Sequence, residues 1–310
     1  MSVASKWKSG AATDRGLVRG SNEDRHWIDD DNGVFLVVDG VGGHAAGEIA
    51  AQTAVDTIRR ELSSAQGSAE DRVRLAITKA NNEIYEMAHD CEQFSGMACV
   101  LTLALVDDDQ LVIGHVGDTR LYLVWNGSLR KLTSDHSPVG EDEDSGELTE
   151  EQAMLHPRRH LVFRDVGTHP HRAGDDDFVE VRRCHFKPDA AFLLCTDGLS
   201  DLLPSATIRE IVGRYDQDPE HVAAELVQAA NEAGGKDNVT ALFVAGSEFR
   251  GRAGPSWTEA RARHSITRFR PENSGEPRWP VRILTGRIAF LLYGVLLGIL
   301  IWAVLHPLRG

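Results

Sequence analysis

Val34-Phe35-Leu36-Val37-Val38-Asp39-Gly40-Val41-Gly42-Gly43-His44 joins five consecutive apolar residues to a carboxylate and a glycine-rich turn. An uninterrupted apolar run of this length reads as a strand buried on both faces. Such a strand carries Asp39 into a turn where backbone can approach a metal ion or a phosphate. Strands also end in Asp-Gly merely to reverse direction, so the stretch takes its meaning from its surroundings.

Working outward, short β-rich runs alternate with helical stretches. Residues 46–63 and 70–89 have helical spacing, the second placing Val73, Ile77, Ala80, Ile84 and Met87 along one face. Strands are predicted over 98–106, 111–116 and 120–125, and Asn126-Gly127, a two-residue hairpin signal, leads into another over 128–132. Residues 178–186 and 190–195 read as a further strand pair, 205–215 and 219–232 as helices, and 239–245 as the closing strand. Strands joined by short turns imply antiparallel sheets with helices paired outside them, an α+β class. Residues 134–173 hold Glu141-Asp142-Glu143-Asp144 and His156-Pro157-Arg158-Arg159-His160 and little that resembles core. They read as a mobile excursion over the surface.

Four more acidic turns accompany Asp39-Gly40. They are Arg19-Gly20-Ser21-Asn22-Glu23-Asp24, Gly117-Asp118-Thr119-Arg120, Asp197-Gly198-Leu199-Ser200-Asp201 and Gly235-Lys236-Asp237-Asn238. Each sets a carboxylate beside a strand, next to Gly or a small polar residue. Any one of them is a common turn. Together, carboxylates at strand ends with a backbone carbonyl are what hard divalent cations require, and no cluster supplies the His and Cys ligands that zinc favours. Mg²⁺ or Mn²⁺ in a two-metal arrangement is therefore the expected cofactor.

The net charge of −14 over 310 residues conceals an asymmetry. Residues 250–310 carry ten Arg, no Lys and three Glu, a net of +7, leaving 23 Lys+Arg against 44 Asp+Glu in residues 1–249. An acidic body disfavours nucleic acid, whose phosphates need basic side chains, and suits cations or basic protein partners. Cys91, Cys99, Cys184 and Cys195 show no paired metal spacing, so neither a zinc site nor a disulfide framework is expected and a reducing compartment fits. The first ten residues lack the apolar core of a signal peptide.

Residues 288–305, IAFLLYGVLLGILIWAVL, are eighteen without a charge. As a helix they would extend about 27 Å, near the ~30 Å of a bilayer core, so they read as a transmembrane helix. Arg278, Arg282 and Arg287 precede the span and place its N-terminal side, with the body, in the cytoplasm at the inner membrane, followed by a short tail over 306–310. Gly294 and Gly298 form a G-x-x-x-G pair that would let two helices pack into a weak dimer, a pattern that also arises in membrane helices by chance. Residues 250–287 read as an Arg-rich juxtamembrane linker whose arginines could lie on anionic lipid or simply be solvated.

The ordered set of motifs resembles a known family, the metal-dependent serine/threonine protein phosphatases of the PP2C (PPM) type, most closely its bacterial members. The matching pieces are Asp14-x-Gly16-x-x-Arg19-x-x-Asn22-Glu23-Asp24, Val38-Asp39-Gly40-Val41-Gly42-Gly43-His44-x-x-Gly47-Glu48, His115-Val116-Gly117-Asp118-Thr119-Arg120, Thr133-x-Asp135-His136-Ser137, Thr196-Asp197-Gly198-Leu199 and Lys236-Asp237-Asn238-Val239-Thr240. The resemblance covers residues 13–245, within a phosphatase domain over 1–249 whose flap is 134–173. It implies a four-layer α-β-β-α sandwich of two central antiparallel sheets with a binuclear metal centre between them. Asp24, Asp39, Asp197 and Asp237 would hold two metals, with the Gly40 carbonyl and Glu23 through water. Asp118, with Asp197 and Asp201, matches a weaker third-metal position. Arg19 matches the arginine that binds substrate phosphate, a role suited to a bidentate guanidinium. A water bridging the two metals and acidified to hydroxide would attack phosphorus in line, with no phosphoenzyme. His44 could protonate the leaving alkoxide or just hydrogen-bond locally.

Phosphoproteins and a serine/threonine kinase whose work is reversed are the implied partners. Met97-Ala98-Cys99 and Thr119 depart from the family pattern without touching an expected ligand. The acidic run 141–144 departs more sharply and suggests a preference for basic substrate segments. The competing readings are a membrane-tethered pseudophosphatase, which should have lost one of the four core aspartates, and a membrane adaptor, which would leave the acidic turns unexplained.

Overall fold

The computed structural model describes residues 6–42, 45–64 and 66–251. The opening run forms β3 (Val34–Val41), flanked antiparallel by β2 (Arg25–Asp29) and β4 (Ala98–Asp107). With β5 (Gln110–Val116) and β8 (Glu180–His185) they make a five-stranded sheet in the order β2-β3-β4-β5-β8. A second sheet runs β1-β10-β9-β6-β7, from β1 (Trp7–Asp14), β10 (Val239–Gly246), β9 (Ala191–Cys195), β6 (Arg120–Trp125) and β7 (Ser128–Lys131). All pairings are antiparallel.

Alternation along β3 explains why it is apolar throughout. Phe35 and Val37 point between the sheets with Leu121, Phe192, Leu194, Leu242 and Val244. Val34, Leu36 and Val38 point outward onto α1 (Ala45–Ser64) and α2 (Ala69–Asp90) with Ile58, Val73 and Ile77. On the far side Phe243 and Ala245 of β10 pack under α6 (Ser205–Val212) and α7 (Pro219–Glu232) with Ile208, Val222 and Leu226. Each large side chain buried in this way contributes about 1.5–3 kcal/mol. Four layers, α-β-β-α, result. Caps fix the helix starts: Ser68 accepts the Asp71 N–H, and Asp218 precedes Pro219 and accepts from two N–H groups.

Two expectations need correction. Residues 178–186 and 190–195 are not a strand pair: β8 pairs with β5 and β9 with β10 and β6, in different sheets. The short turn between them crosses the sandwich, as does the Gly117–Thr119 turn between β5 and β6. The second correction concerns 134–173, which has internal structure and core. It contains α3 (Pro138–Ser145), capped by Ser137, and α4 (Glu150–Met154), with a Thr149/Gln152 capping box, and buries Val139, Ala153 and Val166. Val166 bridges to Cys99 of β4. Among the described residues no helix is long and apolar enough to cross a membrane. Residues 288–305 and the linker beyond 251 lie outside the described residues, as does His44.

Candidate active site

The sandwich brings the acidic turns to one place. Asp39 and Gly40 come from the end of β3, Asp118 from the β5–β6 crossing, Asp197 from the first residue of the short helix α5 (Asp197–Ser200) after β9, and Asp237 from the approach to β10. They line one pocket with Arg19, Glu23, Val41 and Asn238, and His160 and Val162 of the flap close its side. Asp24 is 2 % exposed, one residue before β2. Its Oδ2 accepts hydroxyls from Thr240 at 2.6 Å and Thr196 at 2.9 Å, while its buried Oδ1 has no hydrogen-bond partner.

Glycine at 40 is required by close approach: a Cβ there would lie 2.3 Å from the Gly47 carbonyl oxygen and 2.8 Å from that of Glu23. Gly117, at φ 106°, turns the chain from one sheet to the other and leaves no room for a side chain against Val100.

The carboxylates crowd one another. Burial, then repulsion from Asp24, Asp197, Asp118 and Asp237, holds the Asp39 carboxyl well above the usual range. Asp197 is raised likewise by burial and by Asp118, Asp201, Asp237 and Asp24. Burial pushes Asp24 up to about 7 against the pull of the two threonine hydroxyls. Burial with Asp135 and Asp201 takes Asp118 to about 7.

Arg19 Nη2 donates to Asp237 Oδ2 at 2.6 Å, and this bond raises the guanidinium's pKa. Glu23 is raised by burial, with Arg19 drawing it back. The loop carrying both residues is pinned by Asn238. Its Oδ1 accepts the Glu23 N–H at 2.8 Å, and its Nδ2 donates to the carbonyls of Arg15 and Ser21 at 2.9 and 2.8 Å.

Asp201 lines a second, adjoining pocket together with Asp118 and Asp197, and Arg159 of the flap donates to it at 2.5 Å. The acidic run 141–144 is also partly committed. Glu143 accepts from Arg120 at 3.0 Å and lies 3.4 Å from Lys131, and Asp144 lies 2.9 Å from Lys131. Two of its four carboxylates therefore hold the flap to β6 and β7, and Glu141 and Asp142 are not among the residues that line the carboxylate pocket. Thr119 sits in a buried chain with Thr102 (2.8 Å), which meets His115 Nδ1 at 2.9 Å.

Thr196, Thr240, Asn22 and Asn238 are the functional residues that sequence reasoning quoted without assigning a role. Asn22 donates to Thr13, which shares a hydrogen bond with Thr240. A period of two was the available signal, since Asn238 and Thr240 fall on one face of a strand that starts beside Asp237.

Among the described residues no three acidic, His or Cys side chains close on a single point as a formed coordination sphere. The donor chemistry fits a divalent cation: the set is all oxygen, mutually repelling, and includes the orphaned Asp24 Oδ1.

Fold and site together define an α-β-β-α sandwich with a pocket of carboxylates and one arginine where its two sheets end. The family model for protein phosphatase 2C matches residues 19–239, and the chain belongs to that family. It is 35 % identical over 240 residues to the serine/threonine phosphatase stp of Listeria monocytogenes, covering 75 % of this chain and 93 % of that one. It is 31 % identical to the crystal structure of the Mycobacterium tuberculosis serine/threonine phosphatase PstP/Ppp, with a TM-score of 0.69 over 77 % of this chain and 98 % of that one. A structure of the PstP catalytic domain in complex with two manganese ions matches at 29 % identity and a TM-score of 0.68, over 77 % of this chain and 97 % of that one.

Proposed function

We propose that this chain hydrolyses phosphoserine and phosphothreonine in proteins with the help of Mn²⁺ or Mg²⁺, reversing a serine/threonine kinase. The observation that carries the reading is the ring of carboxylates from both sheets, repelling one another around a pocket that Arg19 enters. Asp24, Asp39, Asp197 and Asp237, with the Gly40 carbonyl, would hold two ions, and Asp118 a third. Bound there, the ions supply Lewis acidity toward water and the phosphoryl oxygens.

The chain's own residues do the rest. Thr196 and Thr240 hold the Asp24 carboxylate with its free oxygen available. Asn238 fixes the loop so that Arg19, already at the pocket on Asp237, can take two phosphoryl oxygens through its fork. His160 and Val162 narrow the mouth and limit water. The test is Mn²⁺-dependent phosphate release from a phosphothreonine peptide, together with Mn²⁺ binding by calorimetry. Asp39→Asn is expected to abolish turnover and weaken Mn²⁺ binding; turnover without metal would sink the mechanism.

The span at 288–305 supports a membrane anchor with the phosphatase domain in the cytoplasm, and Gly294 and Gly298 support weak pairing of two such helices. Deleting 288–310 is expected to move the protein from the membrane fraction to the soluble one, as read by fractionation.

A further inference from the structure

Six large apolar side chains are exposed among the described residues: Leu17 (70 %), Val18 (71 %), Val41 (44 %), Leu155 (85 %), Leu161 (45 %) and Phe163 (52 %). Val41 lines the active-site pocket beside Gly40. Leu17, Val18 and Leu161 are sequence neighbours of residues that line it: the first two immediately precede Arg19, and Leu161 lies between His160 and Val162 of the flap. Leu155 and Phe163, on the same flap, stand outside it. Isolated exposed apolar residues are ordinary, whereas a group gathered at one mouth marks a binding surface.

Backbone bonds hold part of this group in place. The Leu17 N–H donates to the Gly235 carbonyl at 2.7 Å, and Asn238 holds the chain at Arg15 and at Ser21, on both sides of Leu17-Val18. The loop is thus fixed with these two side chains turned out toward solvent.

We propose that Leu17, Val18, Val41 and Leu161 form an apolar collar that selects phosphoprotein segments with bulky apolar side chains near the phosphorylated residue. The inference rests on the phosphatase reading above, and the collar is continuous with the pocket that would receive the phosphate. In an extended segment side chains alternate at about 3.3 Å per residue. A phosphothreonine pointing into the pocket therefore turns the side chains two residues before and after it toward the rim, about 7 Å away on either side. Leu17 and Val18 would meet one of these, and Val41 and Leu161 the other.

Two phosphothreonine peptides, identical except for Leu or Ser at those two positions, test this on the full chain with Mn²⁺. The Leu peptide is expected to have a kcat/KM about tenfold higher, mostly through KM, for partial burial of two apolar side chains. In Leu17→Ser/Val18→Ser, and in Leu161→Ser on the flap side, that ratio should fall below about threefold. Equal turnover of the two peptides by the unaltered chain, or a ratio preserved in both variants, overturns the collar. Binding of the same peptides to the Asp39→Asn chain, followed by fluorescence anisotropy, separates the collar from catalysis. Tighter binding of the Leu peptide, by about tenfold, supports it even if neither peptide turns over, an outcome that would count against the phosphatase reading alone. Equal dissociation constants overturn it. Loss of self-association in the collar variants with the peptide ratio intact would also overturn it, assigning the surface to a second copy of the chain.

Discussion

Thr196 and Thr240 aim two hydroxyls at one oxygen of Asp24 and leave the other bare. Both donors favour the charged carboxylate against burial, which pushes its pKa up to about 7. Thr240→Val keeps the shape and removes the shorter bond. At pH 7 the carboxyl would then hold its proton more tightly, so apparent Mn²⁺ affinity should fall several-fold and recover as pH rises toward 9. Calorimetric titration at both pH values checks this; equal loss at both would show that the hydroxyl does not act through protonation.

His115 offers a second residue-scale test. Burial, with His136 beside it, lowers its pKa to about 4 from an unfolded value near 6.5. The unfolded chain therefore takes up a proton that the folded one refuses. The resulting stabilisation is complete above pH 6.5 and is lost as pH falls toward 4, on the order of 3 kcal/mol in all. The stability of His115→Gln relative to the unaltered chain, measured by urea unfolding, should improve over that window. At this scale the sequence revealed Asp39 and its fellow aspartates through turn chemistry. It gave no role to Thr240 or Thr196, because a buried threonine reads the same whether it fills core or holds a ligand.

Among the elements, the strands with continuous apolar runs and the Asn126-Gly127 hairpin were legible, since their burial pattern is their signature. β1, with the sequence WKSGAATD, was not: only Trp7 and Gly10 of it are fully buried, and pairing with β10 rather than apolar content makes it a strand. The β8–β9 crossing was misread because a short turn does not record whether the chain re-enters its own sheet or the opposite one. The flap was read as mobile because its anchors are ionic. Arg120 donates to Asp135 at 2.6 Å and reaches Glu143 at 3.0 Å, nearly out of water. Arg120→Met should leave both carboxylates to Lys131 alone and cost about 3 kcal/mol, the low end for a broken buried pair. Limited proteolysis should then cut within 134–173, while Arg120→Met/Asp135→Asn/Glu143→Gln should recover much of the loss. If the single variant is as protease-resistant as the parent, the ion pairs do not anchor the flap.

For the whole molecule, the crowded carboxylates carry a cost that depends on pH. Burial pushes the Asp24 and Asp118 carboxyls up to about 7 from their ordinary 3.8, so they favour the folded state in acid and weaken it as pH rises through 7. In EDTA the melting temperature should therefore fall between pH 5 and 8, and saturating Mn²⁺ should remove that fall. A metal-free melting curve flat over this range would contradict the burial and repulsion derived above.

The pairing of β1 with β10 also bears on how the protein is made. The first strand has its partner in the last, with Trp7 opposite Gly246 and Asp14 opposite Val239. A ribosome must therefore release almost the entire domain before its opening segment has a place to go, and Asp237 arrives only then. Until that moment the nascent chain has neither a closed second sheet nor a complete acidic ring. Hydrolysis cannot begin until the chain has emerged as far as β10, and the unpaired opening strand is the stretch that a chaperone would have reason to shield until then.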